Sequence, residues 1–264
     1  MQKIRVATIN IRNRQDRWFR RRHLLVGQLI DAAPDLISLQ EIDISIGQGR
    51  WLRGQINARL GRENKRPYTL VQKRKRHLIE GYRQGVGVLT RLPIVYHDVL
   101  NLGYGGRPAL RVNVRLDNNR TLDFVATHLH SGFNNHQARQ EQAMLLTGWL
   151  KNQKWVPNQI IAGDFNALPG TLAIQYIKQQ FLSAYEQVHQ YEPLATFPTA
   201  LVDPKPPYDG MLSLGWAGCL DYIFVSTDIK KVATANIFLD IPSDEDAHLY
   251  PSDHVGLIAD VVVE

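Results

Sequence analysis

The chain has 264 residues, a formal net charge of +6 and one cysteine, Cys219. A chain of this length can bury a large core, and we expect one domain over residues 1–264 because no repeat or low-complexity segment divides it. A lone cysteine excludes an internal disulfide framework and a cysteine-based zinc site, which favours a reducing compartment and a cytoplasmic location. We expect neither a signal peptide nor a membrane span, because the N-terminus enters a strand-like run and every apolar run is short.

Short apolar or β-branched runs alternate with helix-like segments, which predicts α/β layering. One helix is predicted over residues 21–33, with its apolar stripe at positions 24, 25, 29 and 30, and it should end before Pro34. A second helix is predicted over residues 135–153, with a stripe through Ala138, Met144, Leu145 and Trp149. The predicted strands cover residues 3–11, 35–41, 85–90, 109–116, 121–129, 159–165, 220–226 and 255–263.

Two further segments are predicted to contain a turn or a loop. Residues 115–124 (RLDNNRTLDF) predict a hairpin with Asp-Asn-Asn as its turn, so part of the sheet structure should be antiparallel. Residues 201–210 (LVDPKPPYDG) are interrupted by prolines and predict a surface loop at the rim of an active site.

Polar side chains lie at the ends of six of the predicted strands. Four strands place them after the apolar run, and two strands place them just before it. If the last two strands run antiparallel to the first four, all of these groups emerge at one edge of the β-structure. The residues concerned are Asn10, Glu41, His128, Asp164 and Asn166 in the first group, and Asp221, Asp253 and His254 in the second.

The chemistry of this set suits phosphoester hydrolysis. Carboxylate and carboxamide oxygens favour Mg²⁺ or Mn²⁺, and they are supplied by Asn10, Glu41, Asn166 and Asp253. His254 with Asp221 would form an imidazole–carboxylate pair, in which the carboxylate fixes the tautomer and stabilises the charged ring. A cation, histidines and an activated water offset charge on phosphoryl oxygens and orient the attack.

Structural interpretations compete with each of these features. A single Asn or Asp after a strand is an ordinary turn former, although the same coincidence in six segments is improbable. His128 and His130 could suggest zinc, but the oxygen-rich set argues against it. The glycine-rich segment 101–108 lacks the ending of a P-loop, and Ser252 next to Asp253 is not a catalytic triad by adjacency.

The positive charge is concentrated in residues 12–22 and 62–77. Runs of basic residues attract polyanions such as nucleic acid. The alternative interpretation is that the two runs are simply solvated faces of the protein surface. Their position beside the polar strand ends favours a functional role. The aromatic residues Trp18, Phe19 and Trp216 are usually core or loop anchors, and stacking platforms for bases are the alternative.

An ordered set of motifs spans nearly the whole chain: TIN, LISLQE, GVGVLTR, RPA, THL, GDFN, LDYIF and PSDH. In these residues the sequence resembles the endonuclease/exonuclease/phosphatase superfamily of metal-dependent hydrolases. The resemblance implies a four-layer α/β/β/α sandwich, with two mixed, largely antiparallel sheets packed face to face and helices outside.

The resemblance also implies a role for each matched residue. Asn10 and Glu41 would lie at the metal, with Asp253 supporting the metal side. Asp164 and Asn166 would position water and phosphate, and Asp221 would orient His254. His254 would then act as general base or charge stabiliser, His128 would stabilise the transferring phosphoryl group, and Arg107 matches a family arginine near the substrate phosphate.

Three departures from the family patterns bear on the substrate. Gln84 replaces a glutamate of the deoxyribonuclease-like members, the LQEID segment disfavours abasic-site repair, and Tyr222 disfavours an inositol 5-phosphatase. LDYIF and YPSDH are most similar to the deadenylase and nocturnin-like branch. We therefore expect a Mg²⁺- or Mn²⁺-dependent phosphodiesterase acting on nucleic acid, on single strands or ends. A phosphatase or sphingomyelinase-like enzyme acting on a small or lipid phosphate is the alternative, and a non-catalytic binding protein is a third option.

Overall fold

The computed structural model describes residues 1–62, 66–76, 83–117, 119–132, 134–152, 156–202 and 217–264. Within these residues lie twelve strands and five helices, together with a 3₁₀ turn at Tyr104–Gly106. The strands are β1 Gln2–Asn10, β2 Leu36–Asp43, β3 Thr69–Arg74, β4 Gln84–Thr90, β5 Ile94–Asn101, β6 Pro108–Arg115, β7 Thr121–His128, β8 Asn158–Asp164, β9 Phe181–Ser183, β10 Asp221–Ser226, β11 Lys231–Phe238 and β12 Gly256–Val263. The helices are α1 Trp18–Ala32, α2 Gln48–Gly61, α3 His136–Lys151, α4 Leu172–Lys178 and α5 Ala184–His189.

The described strands form two six-stranded mixed sheets. The first has the order β11-β12-β1-β2-β4-β3, and the second has the order β5-β6-β7-β8-β10-β9. β1 is parallel to β2 and β7 is parallel to β8, while β12 is antiparallel to β1 and β10 is antiparallel to β8. These are the strand directions that the polar strand ends require. The predicted hairpin is confirmed as the antiparallel β6–β7 pair, although Asn118 of its turn lies outside the described residues.

Three hydrophobic clusters show how the layers pack. The cluster between the two sheets takes Val6 and Leu36 from the first sheet and Phe124 and Ile160 from the second. A second cluster joins the outer face of the first sheet to α1 and α2, and a third joins the outer face of the second sheet to α3 and α4. Because both faces of the central strands are covered, β8 is buried at every position. The predicted four-layer α/β/β/α sandwich is confirmed.

The predicted stripe of the second helix is partly wrong. Met144 and Leu145 of α3 are 45% and 49% exposed. The helix instead buries a face that includes Arg139 and Gln142, whose side chains bind the loop after β7. The Gln142 side-chain oxygen accepts a hydrogen bond from the backbone of His130 at 2.8 Å, and Arg139 donates to the carbonyl of Gly132 at 2.6 Å. Because these two polar side chains point into the protein, the buried face of α3 differs from the face that the apolar residues alone predict.

Other expectations have simpler outcomes. The first predicted helix is present but begins three residues earlier, at Trp18. Most of the 201–210 loop, and Trp216 with it, lies in 203–216, outside the described residues. In the described part of the chain, none of the helices combines the length and the apolar character that crossing a bilayer needs.

Candidate active site

The ends of strands from both sheets meet at one edge of the sandwich. In the second sheet, Asp164 at the end of β8 lies directly opposite His128 on β7 and Asp221 on β10. Side chains directly opposite on paired strands lie on the same face, so the three polar groups are adjacent. Asn10, at the end of β1 in the first sheet, reaches across and donates from Nδ2 to Asp164 Oδ2 at 2.9 Å. The two sheets are therefore joined at this edge by a polar contact.

Asp164 is the centre of this network. Its Oδ1 accepts a hydrogen bond from the backbone of Asn166 at 2.8 Å, and its Oδ2 lies 3.5 Å from His128 Nε2 and 3.9 Å from His254 Nε2. The carboxyl is fully buried. Asn166, in a left-handed conformation with φ 48°, donates from Nδ2 to the carbonyl of Leu129 at 3.1 Å, which fixes the turn after β8.

Asp221 and His254 form the predicted imidazole–carboxylate pair. His254 Nδ1 lies 2.8 Å from Asp221 Oδ2, and the ring packs against Phe197 with centroids 4.8 Å apart. Burial alone would lower the pKa of His254, but the Asp221 carboxylate raises it to about 10, so the ring is an imidazolium at neutral pH. Burial, reinforced by the charge of Asp221, raises the pKa of Asp164 to about 7.

His128 is in the opposite electrostatic situation. Burial and then the charges of Arg107 and Lys75 hold the pKa of His128 well below its usual value, so this ring is neutral. Lys75, Gln84, Arg107 and His128 line one cavity, and Arg107 Nη2 donates to Ser131 Oγ at 2.9 Å. The site thus has a neutral and a charged histidine on either side of Asp164, with a cationic wall beside the neutral one.

Glu41 reaches this edge through an irregularity of β2. The register between β2 and β4 shifts between Leu39 and Ile42, and Glu41 has a positive φ of 57°. Such a bulge re-aims a side chain. Glu41 Oε2 accepts a hydrogen bond from Asn13 Nδ2 at 2.9 Å, which ties it to the loop after β1.

Asp253 has a partner for each carboxylate oxygen. Ser252 Oγ donates to Oδ1 at 3.1 Å and also to the carbonyl of Asn10 at 2.6 Å, while Arg12 Nη1 lies 3.1 Å from Oδ2. Burial acts to lower the pKa of Arg12, but the negative charges of Asp253 and Glu41 outweigh burial and raise the pKa of Arg12 above its usual value. Arg12 therefore ties Asp253 to the loop after β1, and the charges of Asp253 and Glu41 both act on this arginine.

A sequence profile of the Endonuclease/Exonuclease/phosphatase family matches residues 7–254. The chain belongs to this family. Members of the family are divalent-metal-dependent hydrolases acting on phosphoester bonds, and the chain is accordingly a phosphoester hydrolase. Among curated proteins, no sequence matches the chain.

Solved structures of family members share the fold. The human Nocturnin catalytic domain with bound sulfate anion is 21% identical, with a TM-score of 0.76 over 99% of this chain and 95% of that one. An endonuclease/exonuclease/phosphatase from Bacteroides vulgatus is 19% identical, with a TM-score of 0.74 over the whole of both chains. D. rerio TDP2 complexed with single strand DNA product is 17% identical, with a TM-score of 0.75 over 99% of each chain.

The donor set at this edge fits the divalent metal ion on which the family depends. Asp221 Oδ1 is buried and has no hydrogen-bond partner within the described residues. Asp164, Asp221 and His254 offer ligand atoms within 4.8 Å of one another, an arrangement that could hold a cation. Two oxygen donors lie on the side of the first sheet: Glu41 Oε2, and Asn10 Oδ1, which accepts a hydrogen bond from the backbone of Arg12 at 3.0 Å. A set dominated by oxygen suits a hard cation.

Sequence analysis did not identify three residues that build this edge: Arg12, Asn13 and Arg21. Arg12 and Asn13 hold Asp253 and Glu41, and Arg21 is fully buried beneath them. The signal for Arg21 was present, since it lies on the same helix face as the buried Trp18 and Leu25. An arginine inside an apolar stripe indicates a buried guanidinium with many acceptors.

The raised pKa of His254 predicts how the stability of the metal-free protein depends on pH. The folded state binds this proton more tightly than the unfolded chain does, so the stabilisation is complete below about pH 6.5 and is lost as the pH rises toward about 10. Between pH 6.5 and 8.5 we expect a loss of at most about 2 kcal/mol.

Urea denaturation in EDTA at several pH values measures this loss, and His254→Gln is the matched variant. The difference between the two proteins isolates the histidine from Asp164, whose raised pKa gives a loss of the same sign at lower pH. Parallel stability profiles of the wild type and His254→Gln above pH 7 would contradict the assignment of an imidazolium.

Proposed function

We propose that the chain is a Mg²⁺- or Mn²⁺-dependent phosphodiesterase that cleaves nucleic acid, on single strands or at ends. The observation that carries the reaction is the His254–Asp221 pair set 3.9 Å from the central Asp164. The cationic wall with Lys75 and Arg107 supports a polyanionic substrate. The single-strand DNA product in the TDP2 structure is compatible with this substrate class.

We assign the metal ion to Glu41 and Asn10, with Asp253 supporting that side through Arg12. The cluster of Asp164, Asp221 and His254 is the competing position, but one oxygen of each carboxylate there already has a partner: Asp221 Oδ2 holds His254 Nδ1 at 2.8 Å, and Asp164 Oδ2 accepts from Asn10 Nδ2 at 2.9 Å. When bound, a divalent cation supplies positive charge that offsets the charge developing on the phosphoryl oxygens.

The other catalytic roles are assigned to side chains of the protein. Asp164, with its pKa near 7, accepts the proton of the attacking water as the new phosphorus–oxygen bond forms. The His254 imidazolium and the Arg107 guanidinium offset charge on the phosphoryl oxygens, and the neutral His128 positions the same group. Asn166 orients the phosphate from the turn after β8. The bond to the leaving oxygen breaks opposite to the attacking water, its electron pair departs with that oxygen, and the oxygen takes up a proton from solvent.

The two possible metal positions predict different outcomes for two isosteric variants. We expect Glu41→Gln to weaken Mn²⁺ binding about 10–100-fold, because a carboxylate ligand becomes an amide, and His254→Gln to leave binding within about threefold. Calorimetric titration with MnCl₂ measures both, and Asp253→Asn is expected to fall between them. Loss of Mn²⁺ binding in His254→Gln with normal binding in Glu41→Gln would move the metal to the competing cluster.

A substrate panel tests the proposed activity. Labelled single- and double-stranded DNA and RNA are incubated with Mg²⁺ or Mn²⁺ beside phosphomonoesters and phospholipids, with His254→Ala as the blank. We expect oligonucleotide cleavage that EDTA abolishes. Turnover confined to small phosphoesters or lipids would favour the phosphatase or sphingomyelinase-like alternative, and oligonucleotide cleavage that persists in His254→Ala or EDTA would contradict the proposal.

Two further proposals concern the chain as a whole. We propose that residues 1–264 act as one catalytic domain, because β1 and β12, from opposite ends of the chain, pair along their length. We also propose a cytoplasmic location, which the single buried thiol of Cys219 supports.

A further inference from the structure

An arginine lies between two aromatic rings on the outer face of helices α1 and α2. The Arg22 guanidinium carbon is 5.0 Å from the ring centroid of Phe19 and 4.5 Å from that of Trp51. Phe19 is 73% exposed, whereas the neighbouring Trp18 is 4% exposed and packs in the core. We call Phe19, Arg20, Arg22, Arg50 and Trp51 the α1–α2 face, in which Phe19, Arg20 and Arg50 are exposed and Arg22 and Trp51 are half-buried. Of the aromatic residues considered in the sequence, Phe19 and not Trp18 is thus available to a ligand.

The charge of this face has one sign. The sequences of α1 and α2, WFRRRHLLVGQLIDA and QGRWLRGQINARLG, contain six arginines and one acidic residue, Asp31. Only Arg21 of the six is buried within the helix layer. Asp246 partly compensates the edge of the face, at 2.8 Å from Arg17 and 3.8 Å from Arg20, but the Arg20 side chain remains 58% exposed.

The α1–α2 face follows a residue of the candidate active site closely along the chain. Asn13, which binds Glu41, lies six residues before Phe19. Six residues span at most about 20 Å even when fully extended. The exposed Arg14, which lies 3.3 Å from Asp43, is between the two along the chain. A flexible polyanion held at the site can therefore continue onto helix α1.

We propose that the α1–α2 face binds single-stranded nucleic acid that extends away from the active site, with a base stacked on Phe19 and phosphates paired with the arginines. This inference rests on the proposed function and specifies its substrate as longer than the cleaved unit. Exposed aromatic rings among cations are what single-strand binding surfaces combine. A lipid surface would instead need a broad apolar stripe on the helix, and Phe19 is the large apolar side chain of α1 that is strongly exposed.

Binding of fluorescein-labelled dT20 and dT4 to the 264-residue chain tests the proposal, measured by fluorescence anisotropy at several salt concentrations. We expect Phe19→Ala to weaken dT20 binding about tenfold at an unchanged salt slope, since stacking is lost and charge is not. Arg22→Gln should weaken dT20 binding and reduce the slope by about 0.7, the single-strand value per phosphate contact. Both variants should bind and cleave dT4 as the wild type does.

Arg115→Glu is the matched control, because this exposed arginine lies at the opposite end of β6 from the site. The proposal is overturned if Phe19→Ala binds dT20 as the wild type does, or if Arg115→Glu weakens binding as much as Arg22→Gln. It is also overturned if Phe19-dependent binding occurs with phosphatidylserine vesicles and not with dT20. Phe19-dependent binding of dT20 without cleavage of any oligonucleotide would support this face and count against the proposed catalytic function.

Discussion

His254→Gln is expected to lower kcat on oligonucleotides by about 10²–10⁴, with KM changed by less than about threefold. Glutamine keeps a polar group of similar reach but cannot carry the positive charge that Asp221 maintains on the ring. The lost interaction is one that strengthens as charge develops on the phosphoryl oxygens, so it should appear in kcat and not in substrate binding. Steady-state kinetics at saturating Mg²⁺ measure both constants.

Two variants make this experiment decisive. Asp221→Asn leaves the ring in place but removes the charge that raises its pKa, so we expect a loss of the same order and a shifted pH profile of kcat. His248→Gln changes an exposed histidine and should behave as the wild type. If His254→Gln retains more than about a tenth of the wild-type kcat, His254 does not stabilise the transition state in the way proposed.

The strands that sequence analysis identified are the ones covered on both faces. β8 and β10 are buried at every position, so they appear as continuous apolar runs. β5 alternates between half-buried and exposed positions, and β11 is exposed at half of its positions and has a register shift between Val232 and Thr234. β3 and β9 are short edge strands. Sequence analysis did not predict these four strands, because a half-covered or very short strand lacks a continuous run of apolar residues.

The sequence likewise predicts the placement of some residues of the candidate site and not of others. Asn10, His128, Asp164, Asp221 and His254 stand at the ends of buried strands, so the sequence places them at one edge and the structure joins them. The conformation of Glu41 depends on a bulge against β4, which no local pattern announces. Asp253 is held by Arg12, and a pairing between residues 241 positions apart follows only from the tertiary fold.

Arg21 has an unusual environment for a charged residue. Its guanidinium is fully buried, and its hydrogen bonds in the structure go to backbone carbonyls. The acceptors are the carbonyl oxygens of Ile11, Arg12, Asn13, Gln15, Asp16 and Pro251. Burial lowers the pKa of Arg21 to about 10, although Asp253 opposes this, so the group stays charged at neutral pH. It therefore clamps the loop after β1 to the segment that carries Asp253.

Arg21→Met is expected to cost about 3–5 kcal/mol of stability and to lower the Tm by roughly 10–15 °C, because it fills the same space but leaves several buried carbonyls without their donor. Arg21→Lys should recover only a small part, since one ammonium cannot reach six acceptors arranged around a planar fork. Arg22→Met, one position along on the outer surface, should change stability by no more than about 0.5 kcal/mol. Thermal and urea denaturation measure the three variants.

Because the clamped loop places Asn13 on Glu41 and Arg12 on Asp253, Arg21→Met held well below its Tm should also bind Mn²⁺ more weakly than the wild type. A Tm equal to that of Arg22→Met would show that the carbonyls find other donors, and unchanged Mn²⁺ affinity would show that Glu41 keeps its position without the clamp.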